Sequence, residues 1–180
     1  MTYKEKYNSW ISSTFIDSEL KKELVQLVDE KEIEDRFYKD LEFGTGGLRG
    51  VIGAGTNRMN IHTIGKTTQG LSDYLKSKYI GKISVTIAYD SRNMSIEFAK
   101  AAAETLCGNG ISVNLFEKLT PTPILSYAVR ELESKAGIVI TASHNPKEYN
   151  GYKVYGEDGG QVTDEVAKNI ITCVNSIEDF

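Results

Sequence analysis

Ser143, His144 and Asn145 stand together in the segment ITASHNPKEYNGYKVYGEDGG (140–160), with Pro146 and Lys147 behind them and Lys153 further along. A hydroxyl held in a stiff turn beside cations and amides suits a nucleophile that carries a phosphoryl group. Such neighbours stabilise charge on the group in transit. The same residues also describe a polar turn with a capping serine, and composition leaves both readings open. Other chemistries are poorly served. Ser143 and His144 are adjacent, so the base cannot easily reach the nucleophile of a triad. Thr141 and Asn145 occupy the flanking positions where a nucleophile elbow has glycine. GKTT at Gly65–Thr68 has Asn60 where a P-loop needs glycine, and it lies inside a helical pattern. The glycine run at 44–48 is followed by Arg49 where a dinucleotide fingerprint needs glycine.

Composition narrows the field further. The chain has 180 residues, 21 Lys plus Arg and 25 Asp plus Glu, a net charge of −4. Without a basic patch, this balance argues against a nucleic-acid partner. Cys107 and Cys173 have no metal-ligand spacing and are expected to be small buried residues of a reducing compartment. The start MTYKEKYNSWISSTF lacks an apolar signal core, and no run of apolar residues is long enough to span a membrane. A cytoplasmic chain with no membrane partner is expected.

The elements that must position Ser143 follow from periodicity. Residues 1–42 predict helix, with Leu20, Leu24, Leu27 and Val28 at helical spacing and Asp17 or Ser18 as the N-cap. Ile61, Ile64, Leu71 and Leu75 predict a second helix over 60–78. Further helices are expected over 94–107, over 119–132 with two prolines early, and from Thr163 to about 176. The β-branched and apolar runs 82–89, 111–116, 136–141 and 151–156 predict strands, and Leu48–Ile52 is a short apolar piece among glycines. This alternation gives an α/β fold, a layered sandwich with a mostly parallel mixed sheet of about four strands flanked by helices. Residues 1–40 are expected to form a helical arm and 41–180 the domain. Ser143 falls just past the end of an apolar strand, where open α/β sheets place ligands. On the strand at 151–156, Lys153 and Tyr155 face one way and Tyr152 and Val154 the other; an exposed strand lysine is the plain reading of Lys153.

TASHNP followed by NGYKVY resembles the phosphoserine loop of the α-D-phosphohexomutases, the phosphoglucomutases and phosphomannomutases. FGTGGLRG (43–50), YDSR (89–92) and TPTP (120–123) are similar to further family motifs. GTGGLRG followed by GTNRMN is most similar to the phosphoglucomutase/phosphopentomutase branch. The resemblance runs from about residue 40 onward and implies a set of roles. Ser143 would be phosphorylated and donate its phosphoryl group to a sugar phosphate. Lys153 would serve as general acid/base, Arg49 would lie close to the phosphoserine, and His144 and Asn145 would shape the site. Asn145, Arg49 and Lys153 would also meet substrate. The complete enzyme would interconvert hexose 1-phosphate and 6-phosphate, glucose the expected sugar, through a bisphosphate intermediate. Mg²⁺ would be held by the phosphate on Ser143 and by a carboxylate loop in a second domain that this sequence lacks. Family enzymes have four domains and this chain resembles only the first. The resemblance thus implies the C-terminal domains as partners and an isolated chain that is inactive. A non-catalytic phosphate-binding or domain-docking module is the alternative. Arg92 is expected to form a structural ion pair, Asp90 and Asp158 to cap turns, and His62 to be a surface residue, while Arg58 is left open.

Overall fold

The computed structural model describes residues 1–44 and 47–177; Thr45 and Gly46 of the FGTGGLRG motif, and residues 178–180, lie outside the described residues. Three short helices come first: α1 (Tyr3–Ser12), α2 (Ser18–Val25) and α3 (Glu30–Phe37). Thr2, Asp17 and Asp29 cap them by accepting backbone N–H groups of the first turns. Each cap restarts the helix, so the helical stretch expected over 1–42 is broken into three. Leu24 is buried as its spacing requires, whereas Val28, beyond the end of α2, is exposed.

The rest of the chain alternates: β1 (Gly47–Val51), α4 (Ile61–Lys78), β2 (Ser84–Tyr89), α5 (Ser95–Gly108), β3 (Ser112–Leu115), α6 (Thr122–Glu131), β4 (Ala136–Ile140), β5 (Tyr149–Gly156) and α7 (Asp164–Asn175). The sheet order is β1-β5-β4-β2-β3. β2 pairs in parallel with β3 and β4, and β5 runs antiparallel to both β4 and β1. Four strands thus share one direction and β5 opposes them. The layered α/β sandwich is as expected, with five strands where the sequence indicated about four. The additional strand is β1, the glycine-broken apolar piece, whose pairing with β5 supplies what its side chains lack.

One face of the sheet is thickly covered. Ile64, Leu71 and Leu75 of α4, Phe98 and Leu106 of α5 and Ile170 of α7 pack on Ile138, Ile140, Tyr152 and Val154. Among the described residues the other face carries only α6, whose Leu125 and Val129 meet Ala88, Val139 and Tyr155. β4 is buried at every position, which explains its unbroken apolar run. Beyond α6, the β5 and β1 part of this face is where Lys153 and Arg49 lie. Contrary to expectation, Cys107 is exposed and Cys173 only half-buried; Cys107 lies one residue past the stripe Phe98, Ala99, Ala102, Leu106 and so rotates out of the core. Among the described residues no helix is long and apolar enough to cross a membrane.

The three N-terminal helices close over the start of α4. Phe37 receives the edges of the Tyr7 and Trp10 rings, with centroids 5.7 and 5.6 Å away. Arg58, left open by the sequence, is buried and donates to Asp35 Oδ2 at 2.6 Å and Glu32 Oε1 at 3.3 Å. Arg36 bridges Glu23 and Glu32 alongside it. His62 is no surface residue. Its ring packs edge-on against Trp10 at 5.8 Å and Nε2 stands 3.5 Å from Asp17 Oδ2, with 17% of the side chain exposed. Helical periodicity in α4 gives no sign that a distant segment folds over this position.

Burial holds the His62 pKa below the ordinary histidine value, and Asp17 offsets this in part. The unfolded chain therefore takes up its proton first, and stability declines as pH falls below about 6.5. Urea unfolding at a series of pH values should show this decline, and His62→Gln should flatten it. An unchanged slope in the variant would place the pH dependence elsewhere.

Candidate active site

The end of β2 and the end of β4 are tied together first. Asp90 N–H donates to Ile140 O at 3.1 Å. Asp90 Oδ1 then accepts from the Arg92 N–H at 2.9 Å and from the Ser95 hydroxyl at 2.8 Å, capping the turn into α5. Asn150, buried at the start of β5, donates to Ser95 Oγ and to Asn93 O. The YDSR turn and the beginning of β5 are therefore one hydrogen-bonded block. Asp158 caps its own turn by accepting from Gly160 N–H.

Arg92 projects from this block under the 141–148 loop. Its Nη2 donates to Ser143 O at 2.8 Å and Asn145 O at 2.6 Å, and its Nη1 to Pro146 O at 2.9 Å and Tyr149 O at 3.1 Å. Nε faces Asp90 Oδ2 at 3.6 Å. The expected ion pair is present, but most of the guanidinium is spent on three carbonyl oxygens of the loop and that of Tyr149 at the start of β5. The planar fork of arginine suits this; a lysine ammonium has only three donors. The sequence offers a single signal for it, a YDSR motif at the end of a strand, and nothing in that motif names the loop it grips.

Within the loop, Ser143 N–H donates to Thr141 Oγ1 at 3.0 Å and Asn145 N–H to Ala142 O at 3.2 Å. Ser143 has φ +56°, a left-handed conformation uncommon for a residue with a side chain. It is exposed, just past the C-terminal end of β4. The local folding thus puts Ser143 at the mouth of the sheet with its backbone fixed from below.

Lys153 and Arg49 reach it from the two neighbouring strands. Lys153 pairs with Val139 on one side and Gly47 on the other, and Arg49 pairs with Gly151. Residues directly opposite share a face, so Arg49 and Lys153 are diagonal neighbours on the side of the sheet where α6 packs. Lys153 Nζ lies 2.8 Å from Ser143 Oγ, and Arg49 Nη1 donates to Asn145 Oδ1 at 2.9 Å. Two glycines permit close backbone approaches, Gly47 of β1 to β5 and Gly151 of β5 to the residue after β4. A Cβ at Gly47 would sit 1.9 Å from Tyr152 O, and one at Gly151 would sit 2.5 Å from Thr141 O. Partial burial, and then the charge of Arg49, hold the Lys153 pKa below the ordinary lysine value.

Four of the five candidate residues, Ser143, Asn145, Lys153 and Arg49, therefore form one cluster. His144 is exposed beside Ser143, and its side chain makes no hydrogen bond among the described residues. The arrangement presents a hydroxyl in contact with an amine whose pKa is held below the ordinary lysine value, next to a guanidinium. The scaffold residues Arg92, Asn150, Ser95 and Thr141 were not among the candidates read from the sequence.

The chain also resembles known proteins. The family profile described as phosphoglucomutase/phosphomannomutase, alpha/beta/alpha domain I, matches residues 40–179. A phosphoglucomutase of Staphylococcus epidermidis is 40% identical over 170 residues, 94% of this chain and 31% of that protein. One from Staphylococcus haemolyticus is 44% identical over 144 residues, 80% of this chain and 26% of its own length. Among solved structures, a putative phosphomannomutase from Thermus thermophilus superposes with a TM-score of 0.70 at 35% identity, covering 76% of this chain and 30% of that one. The chain spans about three-tenths of the length of such relatives.

The clamp predicts an asymmetry between two neighbouring substitutions. Arg92→Lys should cost about 1–3 kcal/mol and speed amide exchange in the 141–149 loop, because it strands several carbonyls. Ser143→Ala should change thermal unfolding by no more than about 0.5 kcal/mol, because the hydroxyl is exposed. Equal effects in a melting and hydrogen-exchange comparison would refute the clamp.

Proposed function

We propose that this chain, which belongs to the phosphoglucomutase/phosphomannomutase family and carries its domain I, holds in Ser143 the phosphorylated residue of a phosphohexomutase. The contact between Lys153 Nζ and Ser143 Oγ, at 2.8 Å in a loop fixed by Arg92, carries this reading. Phospho-Ser143 transfers its phosphoryl group to a hexose monophosphate, glucose the expected sugar, and recovers one from the resulting bisphosphate. Residues 41–180 act as the phosphoserine domain and 1–40 as an arm packed on it. The C-terminal domains of a longer enzyme supply the grip on the sugar, so the isolated chain does not turn substrate over.

The charge of Lys153 follows the phosphate. Beside phospho-Ser143 the negative charge keeps the ammonium protonated, and Lys153 gives its proton to Oγ as the phosphoryl group leaves. Once the phosphate has gone, partial burial and Arg49 push Lys153 toward the neutral amine. It then accepts the proton of Ser143 when the hydroxyl attacks the returning phosphoryl group. Arg49 stays charged throughout and steadies the phosphoryl oxygens, while Asn145 holds Arg49 in place. His144 shapes the approach to the hydroxyl.

Mg²⁺ is expected for the complete enzyme. Among the described residues no three His, Cys, Asp or Glu side chains gather to hold a metal ion. These residues therefore do not form an Mg²⁺ cage of their own, and the chain's contribution is a phosphate oxygen on Ser143.

In the longer enzyme, Ser143→Ala should abolish interconversion of hexose 1-phosphate and 6-phosphate. Lys153→Met should reduce kcat about 10²–10⁴-fold with little change in KM. A coupled assay for the 6-phosphate reads both, and co-expression of this chain with the remaining domains should restore turnover. Full activity in Ser143→Ala would overturn the assignment.

A further inference from the structure

The pair formed by Ser143 and Lys153 is complete within this chain. Ser143 is exposed, its backbone is set by Arg92 and Thr141, and its Oγ already touches Lys153 Nζ. Arg49, the second cation, reaches the same loop through Asn145 from the neighbouring strand. A base, a nucleophile and an anion-holding group thus need no other domain to assemble them. Among the described residues Ser143 Oγ and Lys153 Nζ hydrogen-bond only to each other, and His144 beside Ser143 makes no side-chain hydrogen bond that would hold it as a second proton carrier. Once Lys153 has taken the hydroxyl proton, no general acid is hydrogen-bonded to the pair to protonate a departing sugar alkoxide. A donor whose leaving group departs as a stable anion removes that need.

We infer that this chain loads itself, Ser143 taking the phosphoryl group of a small acyl phosphate, a carboxylic–phosphoric mixed anhydride, with Lys153 as the base. The inference rests on the proposed role of Ser143 and adds a donor class to it. Ser143 Oγ attacks phosphorus, the new Oγ–P bond forms and the bond from phosphorus to the acyl oxygen breaks. The hydroxyl proton passes to Lys153 Nζ and the carboxylate leaves with the electron pair. A carboxylate with a pKa of about 4 departs unprotonated at neutral pH. The donor is a compact anion, and Arg49 offers it a permanent charge beside an exposed nucleophile. The carboxylate carries little binding surface, so the open site of this chain suffices. Self-loading would prime the phosphoserine before any sugar bisphosphate is present.

Lys153 must be neutral to act, and its surroundings lower its pKa toward that state. Arg49 faces it from β1, and Ser143 from the loop; on β4 its partner is the apolar Val139, and on its own strand Tyr155 lies two residues along the same face. No carboxylate is among these neighbours to hold the ammonium charged. The loading rate should therefore rise with pH and level off below the ordinary lysine range.

The chain itself, incubated with acetyl phosphate in buffer containing Mg²⁺, provides the test, read by intact mass and peptide mapping. The expected result is one phosphoryl group on Ser143, absent in Ser143→Ala. Lys153→Met and Lys153→Arg should slow loading about a hundredfold, the arginine because it keeps the charge and cannot serve as a base. Circular dichroism melts confirm that each variant is folded. Loading in Lys153→Met at the unaltered rate, or modification that appears only as lysine acetylation or away from Ser143, overturns the inference. If acetyl phosphate leaves Ser143 unmodified while Ser143→Ala still inactivates the longer enzyme, the donor class is wrong and the role of Ser143 stands. If that variant retains activity, both fall.

Discussion

Four carbonyls, three from the loop and one from the start of β5, converge on the guanidinium of Arg92, and the geometry of the site depends on that convergence. A loop between antiparallel strands ordinarily leaves its carbonyls to water and keeps several conformations. Here Ser143, Asn145, Pro146 and Tyr149 direct theirs inward to one rigid planar group. Asp90 orients that group in turn, its backbone tying the ends of β2 and β4 and its carboxylate the start of α5. The left-handed Ser143 is strained locally and is held by this surrounding network. A flexible anchor would leave the hydroxyl in place only part of the time.

The reversal of β5 completes the arrangement. A fifth parallel strand would have required a long crossover, and Lys153 would have come from elsewhere. By returning through a short loop, β5 places Lys153 back under the serine from which the chain has just departed. It also offers its free edge to β1, which brings Arg49 alongside. The uneven covering of the sheet has a use in this light. Among the described residues three helices bury one face, while α6 alone covers part of the other, leaving the charged end of β1 and β5 uncovered. Ser143 therefore sits on a rigid scaffold with access from one side.

The N-terminal helices add stability at a distance from the chemistry. Arg58 and Arg36 share Glu32, and Asp35 and Glu23 complete the network. With Arg58 buried, its charge would be costly without these partners. The network joins the arm to the segment between β1 and α4, so the arm also steadies the strand that carries Arg49.

Much of this was legible in the residues. The alternation of strand and helix, a cap at Asp17 or Ser18 and another at Thr163, the doubly covered run at β4 and the loop bearing Ser143 all follow from local pattern, because period and capping are short-range properties. The two faces of β5 were equally plain: Tyr152 and Val154 go to the core and Lys153 to the opposite side. Tertiary structure alone decided the remainder. β1 is a strand because β5 is beside it, although its glycines disfavour one. Arg92 reads as half of an ion pair until the loop that it grips, 51 residues away, is folded over it. Arg58 and His62 take their roles from an arm that packs against them, and Cys107 turns outward by a single helical step. Each of these depends on partners remote in sequence, and the pattern around a residue carries no information about what will fold against it.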